Sequence, residues 1–397
     1  MFVKKDLRKI PQILADASQR AASSSPPSLS DDEEEQDAPP TKKAKNNDYD
    51  NKNNNNIITE MRLGRRAPEF LPACNASILL QPKFRPALDN LIQLSLYDCG
   101  LSSLAGIELL QSAVTTTNDD DLSMIPPTTT TTTTLFPKLE QLDIGRNPKL
   151  TNTSLPSSFH TQFPSLLELW CDDCSLGPQI PNTLLQLNKL HVVRMTCNKL
   201  QGPLEHGIGI RYWNGLRVLA MDGNLLDGIG VGIGRLEYLE KLHLRQNKLT
   251  ALPNSVPSGK NLSLTMLCLS SNLLTRLPKS IVDVADTLTE LYVNGNQLET
   301  VPEGLAKKCT MLQKFNLAHN NIDKEELMPK DFVMRFGLPD VVTGRCTNDE
   351  QCVVRLEGNP LAERRKKVYL EEERAKAKAL ELERAALEME VDSDDDE

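Results

Sequence analysis

The sequence predicts an α/β solenoid, a parallel sheet made by stacking near-identical short units, with polar ends. Three observations predict it. Leu239 to Pro302 carries three near-copies of one phrase: LEKLHLRQNKLTALP from Leu239, LTMLCLSSNLLTRLP from Leu264 and LTELYVNGNQLETVP from Leu288. Their starts lie 25 and 24 residues apart, a fixed period of the kind that marks stacked repeats. Degenerate copies of the same phrase begin at Leu91, Leu139, Leu166, Leu190, Leu216, Leu312 and Gln351.

The shared pattern, L-x-x-L-x-L-x-x-N-x-L-x-x-L-P, has a physical cause at each point. Within L-x-L the period is two, so the leucines of a short strand point to one side and the intervening residues to the other. The Asn stands where the strand ends and the chain turns inward. A buried turn needs a side chain that satisfies both N–H and C=O groups, and a carboxamide does both. The later L-P starts a return segment, because Pro removes a donor and discourages a second strand. One unit cannot bury its own leucines, so the units stack. The expected ladder reads Cys99, Asn147, Cys174, Asn198, Asn224, Asn247, Asn272, Asn296, Asn320 and Asn359.

Taken in order, residues 1–21 predict a basic arm with a short helix, and 22–56 a disordered linker with too few apolar residues to offset ordering entropy. Residues 57–90 are apolar without a clean period and read as an N-terminal cap. The solenoid is expected at 91–361. A Thr-rich insertion lies near 113–134, and a longer helix and loop is expected around 323–350. Residues 362–390 are rich in Ala, Glu, Leu, Lys and Arg, strong helix formers, and predict a charged helix before an acidic tail at 391–397. Leu380 and Leu387 are seven residues apart, but no heptad seam is sustained from them, so a monomer is expected.

Residues 91–361 resemble the leucine-rich-repeat superfamily. The N-x-L-x-x-L-P turns of the sixth to eighth copies are similar to its short intracellular type. LGPQIPNTLLQL after the third copy resembles the plant-type turn, and VVRLEGNPLAERRKK the terminal cap of small cytosolic members. The resemblance implies a leucine-rich-repeat solenoid (horseshoe) with a parallel concave sheet, followed by the charged helix, and use as a scaffold for protein partners. The superfamily serves unrelated pathways, so no particular function follows from the fold.

Chain-wide features restrict the function further. Net charge is −9, and the repeats themselves are nearly neutral, which leaves no basic footprint for nucleic acid. No run of eighteen apolar residues and no secretory apolar core at the start, with nine cysteines in no framework spacing, predict no membrane partner and a cytoplasmic location. Lys42, Lys43 and Lys45 have the form of a nuclear import cluster. Cys171 and Cys174 form a C-x-x-C, but in register both face the core, so no metal is expected. GIGVGIG at Gly228–Gly234 does not match G-x-G-x-x-G and reads as a wide convex turn. No cofactor motif and no catalytic set stands out.

In register, strand positions five and seven face the concave side. Trp170 is singled out there, because binding would remove its large apolar area from water and Trp, Tyr and Arg dominate interface hot spots. Tyr97, Asp172, Asp173, Arg194, Asp222, His243, Arg245 and Tyr292 join it. The expected function is non-catalytic protein binding on this face, as an adaptor or regulatory subunit. The alternatives are a nuclear acidic protein engaging basic partners and, more remotely, an enzyme.

Overall fold

The computed structural model describes residues 59–62, 88–104, 134, 136–204 and 210–393. The arm at 1–21, the linker at 22–56, most of the cap at 57–90, most of the insertion at 113–134 and residues 394–397 of the tail lie outside the described residues. The chain divides into two compact units, 1–149 with 153–166, and 150–152 with 167–397.

The first unit holds β1 (Glu60–Arg62), β2 (Gln93–Ser95) and β3 (Gln141–Asp143), all parallel, with Met61 beside Leu94 and Leu94 beside Leu142. Of the expected cap, residues 59–62 thus hold a strand in register with the repeats. Phe136 stacks on Phe163 at 5.2 Å, and Phe163 meets Phe159 of the short helix α1 (Phe159–Gln162) at 4.7 Å. These rings fill the return side of this unit. Asn147 accepts from the amides of Cys99 and Leu101 and donates to the carbonyls of Leu96 and Ile144.

The second unit carries β4 (Glu168–Trp170), β5 (Val192–Arg194), β6 (Gln201–Pro203), β7 (Val218–Ala220), β8 (Leu225–Gly228), β9 (Lys241–His243), β10 (Met266–Cys268), β11 (Glu290–Tyr292), β12 (Lys314–Asn316), β13 (Arg345–Cys346) and β14 (Val353–Arg355). The main sheet runs β4-β5-β7-β9-β10-β11-β12-β14-β13, and β6 and β8 form a separate pair. Its strands are parallel except β13, which lies antiparallel on β14. The middle residue of each repeat strand is buried, as the two-residue period requires: Leu169, Val193, Leu219, Leu242, Leu267, Leu291, Phe315 and Val354. Return segments are short helices, among them α2 (Asn182–Leu185), α3 (Leu305–Lys308) and α4 (Lys330–Phe336). The chain then enters α5 (Pro360–Ser393). No helix among the described residues is long and apolar enough to cross a membrane.

The ladder repeats one set of bonds. Asn272 accepts from the amide of Leu249 in the preceding repeat at 3.0 Å and donates to the carbonyls of Leu244 and Leu269, each at 2.9 Å. Asn198, Asn224, Asn247, Asn296, Asn320 and Asn359 likewise accept from Leu176, Leu200, Leu226, Leu274, Leu298 and Ile322. Cys99 and Cys174 donate instead to the carbonyls of Tyr97 and Asp172.

The residue before each ladder position is left-handed in every repeat. Asp98, Arg146, Asp173, Cys197, Gln246, Ser271 and His319 have φ of 53–57°, and Gly223, Gly295 and Gly358 have 67–72°. Glycine has a packing reason at Gly358, where an added Cβ would lie 2.2 Å from His319 Nδ1.

Two motifs turn out to be packing features. Cys171 and Cys174 are both buried, as their register implies. The glycine run is not a simple turn. It ends β8 and enters a 3₁₀ helix, Val231–Arg235, and an added Cβ on Gly234 would lie 2.0 Å from the carbonyl of Ser255.

The stretch at 323–350 supplies a staple. Arg335 of α4 pairs with Asp349 at 2.7 Å, donates to the carbonyls of Ala306 and Cys309, each at 2.8 Å, and lies 4.6 Å over the Phe336 ring. It therefore closes the C-terminal end of α3 while fixing the loop before β14. Burial raises the Asp349 carboxyl, but hydrogen bonds from Arg335 and from the Gln351 amide outweigh it and hold the group below the usual carboxylate range.

Two outcomes are expected. Asn272→Ala leaves the buried Leu249 amide without its acceptor, while the Leu244 and Leu269 carbonyls keep their bonds from Asn247 and Asn296, so urea unfolding should show a loss of about 2 kcal/mol; a loss under about 0.5 kcal/mol would contradict the ladder's structural role. Arg335→Ala should cost about 2 kcal/mol at pH 7. A lowered carboxylate stabilises the fold above its unfolded value of about 3.9 and loses that contribution as pH falls through the folded value. The gap between wild type and Arg335→Ala should therefore narrow below about pH 4, and a gap unchanged down to about pH 2 would rule out the Asp349 linkage.

Candidate functional site

Each repeat strand of the second unit buries one side chain and turns its neighbours to the open face. Register places Trp170 beside Arg194, Arg194 beside Ala220, and Ala220 beside His243. The strands continue through Cys268 to Tyr292.

Trp170, Arg194 and Asp172 form one constellation. The Arg194 guanidinium lies 5.6 Å over the Trp170 ring, and its Nε meets Asp172 Oδ2 at 2.9 Å. The other Asp172 oxygen accepts from the Thr196 amide at 2.8 Å and the Thr196 hydroxyl at 2.7 Å. The carboxylate is therefore fixed by the next repeat, and it fixes the arginine in turn. The indole is half-buried, not broadly open as the sequence suggests, because Arg194 covers it. Its Nε1 is buried and has no hydrogen-bond partner.

Asp222, His243 and Arg245 form the adjoining group. Asp222 accepts from the Arg245 amide at 2.5 Å, so its carboxylate also ties two repeats. Burial is the main reason that the Asp222 carboxyl is raised; Asp172 adds to the rise, and the Arg245 amide, His243 and Arg245 oppose it. Burial likewise lowers His243. Lys241 and Arg194 reinforce that, while Asp222 and Glu290 work against it. The imidazole is thus held neutral at neutral pH.

The remaining expected residues are separate. Tyr292 is two strands beyond His243 and donates to Glu290 at 2.7 Å, with Lys314 on the other Glu290 oxygen at 2.9 Å. Asp173 is exposed in the left-handed turn after β4, outside the strand. Tyr97 belongs to the first unit, where it follows β2 and is half-exposed.

Positions five and seven are not the whole face. Position three opens each strand and faces the same way, adding Glu168, Val192, Val218, Lys241, Met266 and Glu290, none of them buried. Extending the two-residue alternation one step back from L-x-L finds them. Val192, Val218 and Met266, on β5, β7 and β10, supply aliphatic surface along the face, and Lys241 and Arg245 make no ion pair among the described residues.

No family model matches the sequence. The chain is similar to human oligodendrocyte-myelin glycoprotein, 32% identical over 109 residues, which is 27% of this chain and 23% of that protein. It is also similar to rat fibromodulin, 29% identical over 157 residues, 40% of this chain and 39% of that protein, and to human lumican, 30% identical over 151 residues, 38% and 41%. It therefore spans well under half the length of these relatives. A solved leucine-rich-repeat protein of Leptospira interrogans has the same fold, with a TM-score of 0.50 and 23% identity over 70% of this chain and 69% of that one.

These relatives correct the cytoplasmic location expected from the sequence, since they are extracellular-matrix, secreted or membrane-anchored proteins. The cysteine argument fails for a physical reason. Six of the eight described cysteines are buried, and burial pushes the thiols of Cys99, Cys346 and Cys352 up to about 12. Their placement reports core packing and says nothing of a reducing compartment.

One titration tests the electrostatics. The His243 imidazole, followed by NMR, should have a midpoint below the ordinary histidine value of about 6.5. Asp222→Asn removes an opposing charge, so it should lower that midpoint further. A midpoint at or above about 6.5 in the wild type would refute the burial described for this ring.

Proposed function

Because the chain is a leucine-rich-repeat protein, we propose that it acts as a non-catalytic protein-binding module, an adaptor or regulatory subunit, whose partner docks on the open face of the second unit around Trp170. The observation that carries this reading is the Trp170–Arg194–Asp172 constellation. The ring and guanidinium are the side-chain types that dominate interface hot spots. The carboxylate, fixed by Thr196, already holds the arginine in place, so docking costs little side-chain entropy.

The surroundings support the same reading. Val192, Val218 and Met266 spread apolar area along the strands that follow the ring. Lys241, His243 and Arg245 on and beside β9 give a polar edge that orients a partner, and Asp222, Asp173 and Tyr292 extend it. Tyr97 offers a separate contact on the first unit.

Affinity capture from native extract with mass spectrometry tests the proposal. The full chain would be compared with a Trp170→Ala, Arg194→Glu double variant and with Glu237→Lys, an exposed control away from the strand face, after thermal unfolding shows all three folded. Partners should be retained by the control and weakened at least about thirtyfold in the double variant. A partner held equally by all three would place binding elsewhere.

A further inference from the structure

The sequence holds two Asn–Gly dipeptides, Asn214–Gly215 and Asn294–Gly295. Such a pair is chemically vulnerable, because a glycine has no Cβ to block attack by its nitrogen on the carboxamide before it. The repeats treat the two pairs in opposite ways.

Asn294–Gly295 is held on both sides. The Asn294 Oδ1 accepts from the Ser270 hydroxyl at 2.6 Å, and the Asn294 main-chain carbonyl accepts from the Ser271 amide at 2.8 Å. The Gly295 N–H donates to the Ala318 carbonyl of the next repeat at 2.9 Å. This nitrogen reaches the Asn294 side chain only when neighbouring repeats part, which requires local unfolding.

Asn214–Gly215 stands outside the strand ladder, in the turn that leads into β7. The Leu216 amide closes that turn on the Trp213 carbonyl at 2.9 Å. Trp213 is buried, and its Nε1 donates to the Leu184 carbonyl of α2 at 3.3 Å, so the first residue anchors the turn. Asn214 at the tip is exposed, and neither its carboxamide nor the Gly215 N–H has a partner among the described residues. The same turn recurs in later repeats, closed by Leu239 on Leu236, Leu264 on Asn261 and Leu312 on Cys309. There the central pairs are Glu237 and Tyr238, Leu262 and Ser263, and Thr310 and Met311, none of which joins a carboxamide to a glycine.

We propose that Asn214 is a site of spontaneous deamidation. The Gly215 nitrogen bonds to Asn214 Cγ, the Cγ–Nδ2 bond breaks, and ammonia leaves with the proton that the nitrogen loses. Water then opens the cyclic imide. Opening at Cγ gives aspartate, and opening at the main-chain carbonyl gives isoaspartate. Overall one water is consumed and one ammonia released, and nothing is oxidised. The products differ in consequence. Glu237 already places a carboxylate at the equivalent position of the next repeat, so aspartate fits the turn. Isoaspartate adds a backbone atom just ahead of β7, where the Arg217 and Val218 amides bond to the His191 carbonyl at 2.8 and 3.0 Å. It therefore disturbs entry to the strand that lies between Arg194 and His243.

The chemistry needs no partner, so its test is independent of docking on the strand face. The full chain is aged both folded and in urea, then peptide-mapped by mass spectrometry. In the folded chain Asn214 should convert at least about tenfold faster than Asn294. In urea the two should react within about threefold of each other, because only local structure separates them. Gly215→Ala should slow conversion of Asn214 at least about tenfold. Its added Cβ would lie 3.2 Å from the His191 ring, which turns aside to admit it, and the comparison with Asn294 needs no variant at all. Asn214→Gln, at an exposed position, should abolish the product at this peptide. Folded-state loss of Asn214 no faster than that of Asn294, a rate unchanged by Gly215→Ala, or a product that persists in Asn214→Gln would each overturn the proposal.

Discussion

The buried asparagine ladder is the interaction on which the rest of the structure depends. Each carboxamide meets an amide of the preceding repeat and a carbonyl on each side, as Asn272 does with Leu249, Leu244 and Leu269. Backbone groups turned away from water must find such partners or leave a large cost unmet. The ladder therefore sets where each strand stops, and that is why repeat strands are three residues long. It also sets the left-handed residue just before it. Seven of those ten positions carry an ordinary side chain there, a conformation that costs about 1–2 kcal/mol for an L-residue. The bonds of the ladder offset that strain in every turn.

The same constraint reaches the open face. Aspartates at position seven act as a second, outer ladder, with Asp172 taking the Thr196 amide and Asp222 the Arg245 amide. Both stand among the candidate binding residues, yet each carboxylate has one oxygen committed to the neighbouring repeat. Asp172 commits the other to Arg194. Acidic residues that look free in a sequence are thus partly structural, and the arginine they hold is placed by the repeat spacing itself.

Much of the fold was legible because its period is simple. The strands, the buried middle leucines and the ladder positions follow from L-x-L and the fixed Asn, and Cys171 and Cys174 sit in the core as register requires. What was not legible had no periodic signal. The left-handed position is filled by Asp, Arg, Cys, Gln, Ser and His as well as Gly, so no residue type marks it. The β6–β8 pair and the antiparallel β13 depend on where return segments of unequal length come to lie. At the candidate site, register placed Trp170 on the face, but only the structure shows Arg194 covering it and Nε1 left unpaired. Position three escaped because the leucine pattern was taken to start one residue later than the sheet's alternation does.

A surface whose backbone is fixed this firmly can vary only in its side chains, and several of those are already engaged. Arg194 is paired with Asp172, Lys314 with Glu290, and Arg355 with Glu357. Such pairs between partly exposed groups add little stability, but they shape the surface by neutralising it. The groups left over define what a partner can address: the cations of Lys241 and Arg245, and the aliphatic edges of Val192, Val218 and Met266. A partner that presents acidic and apolar groups together would meet both. Selectivity on this face is therefore set less by how many charges it carries than by which of them the repeats leave unpaired.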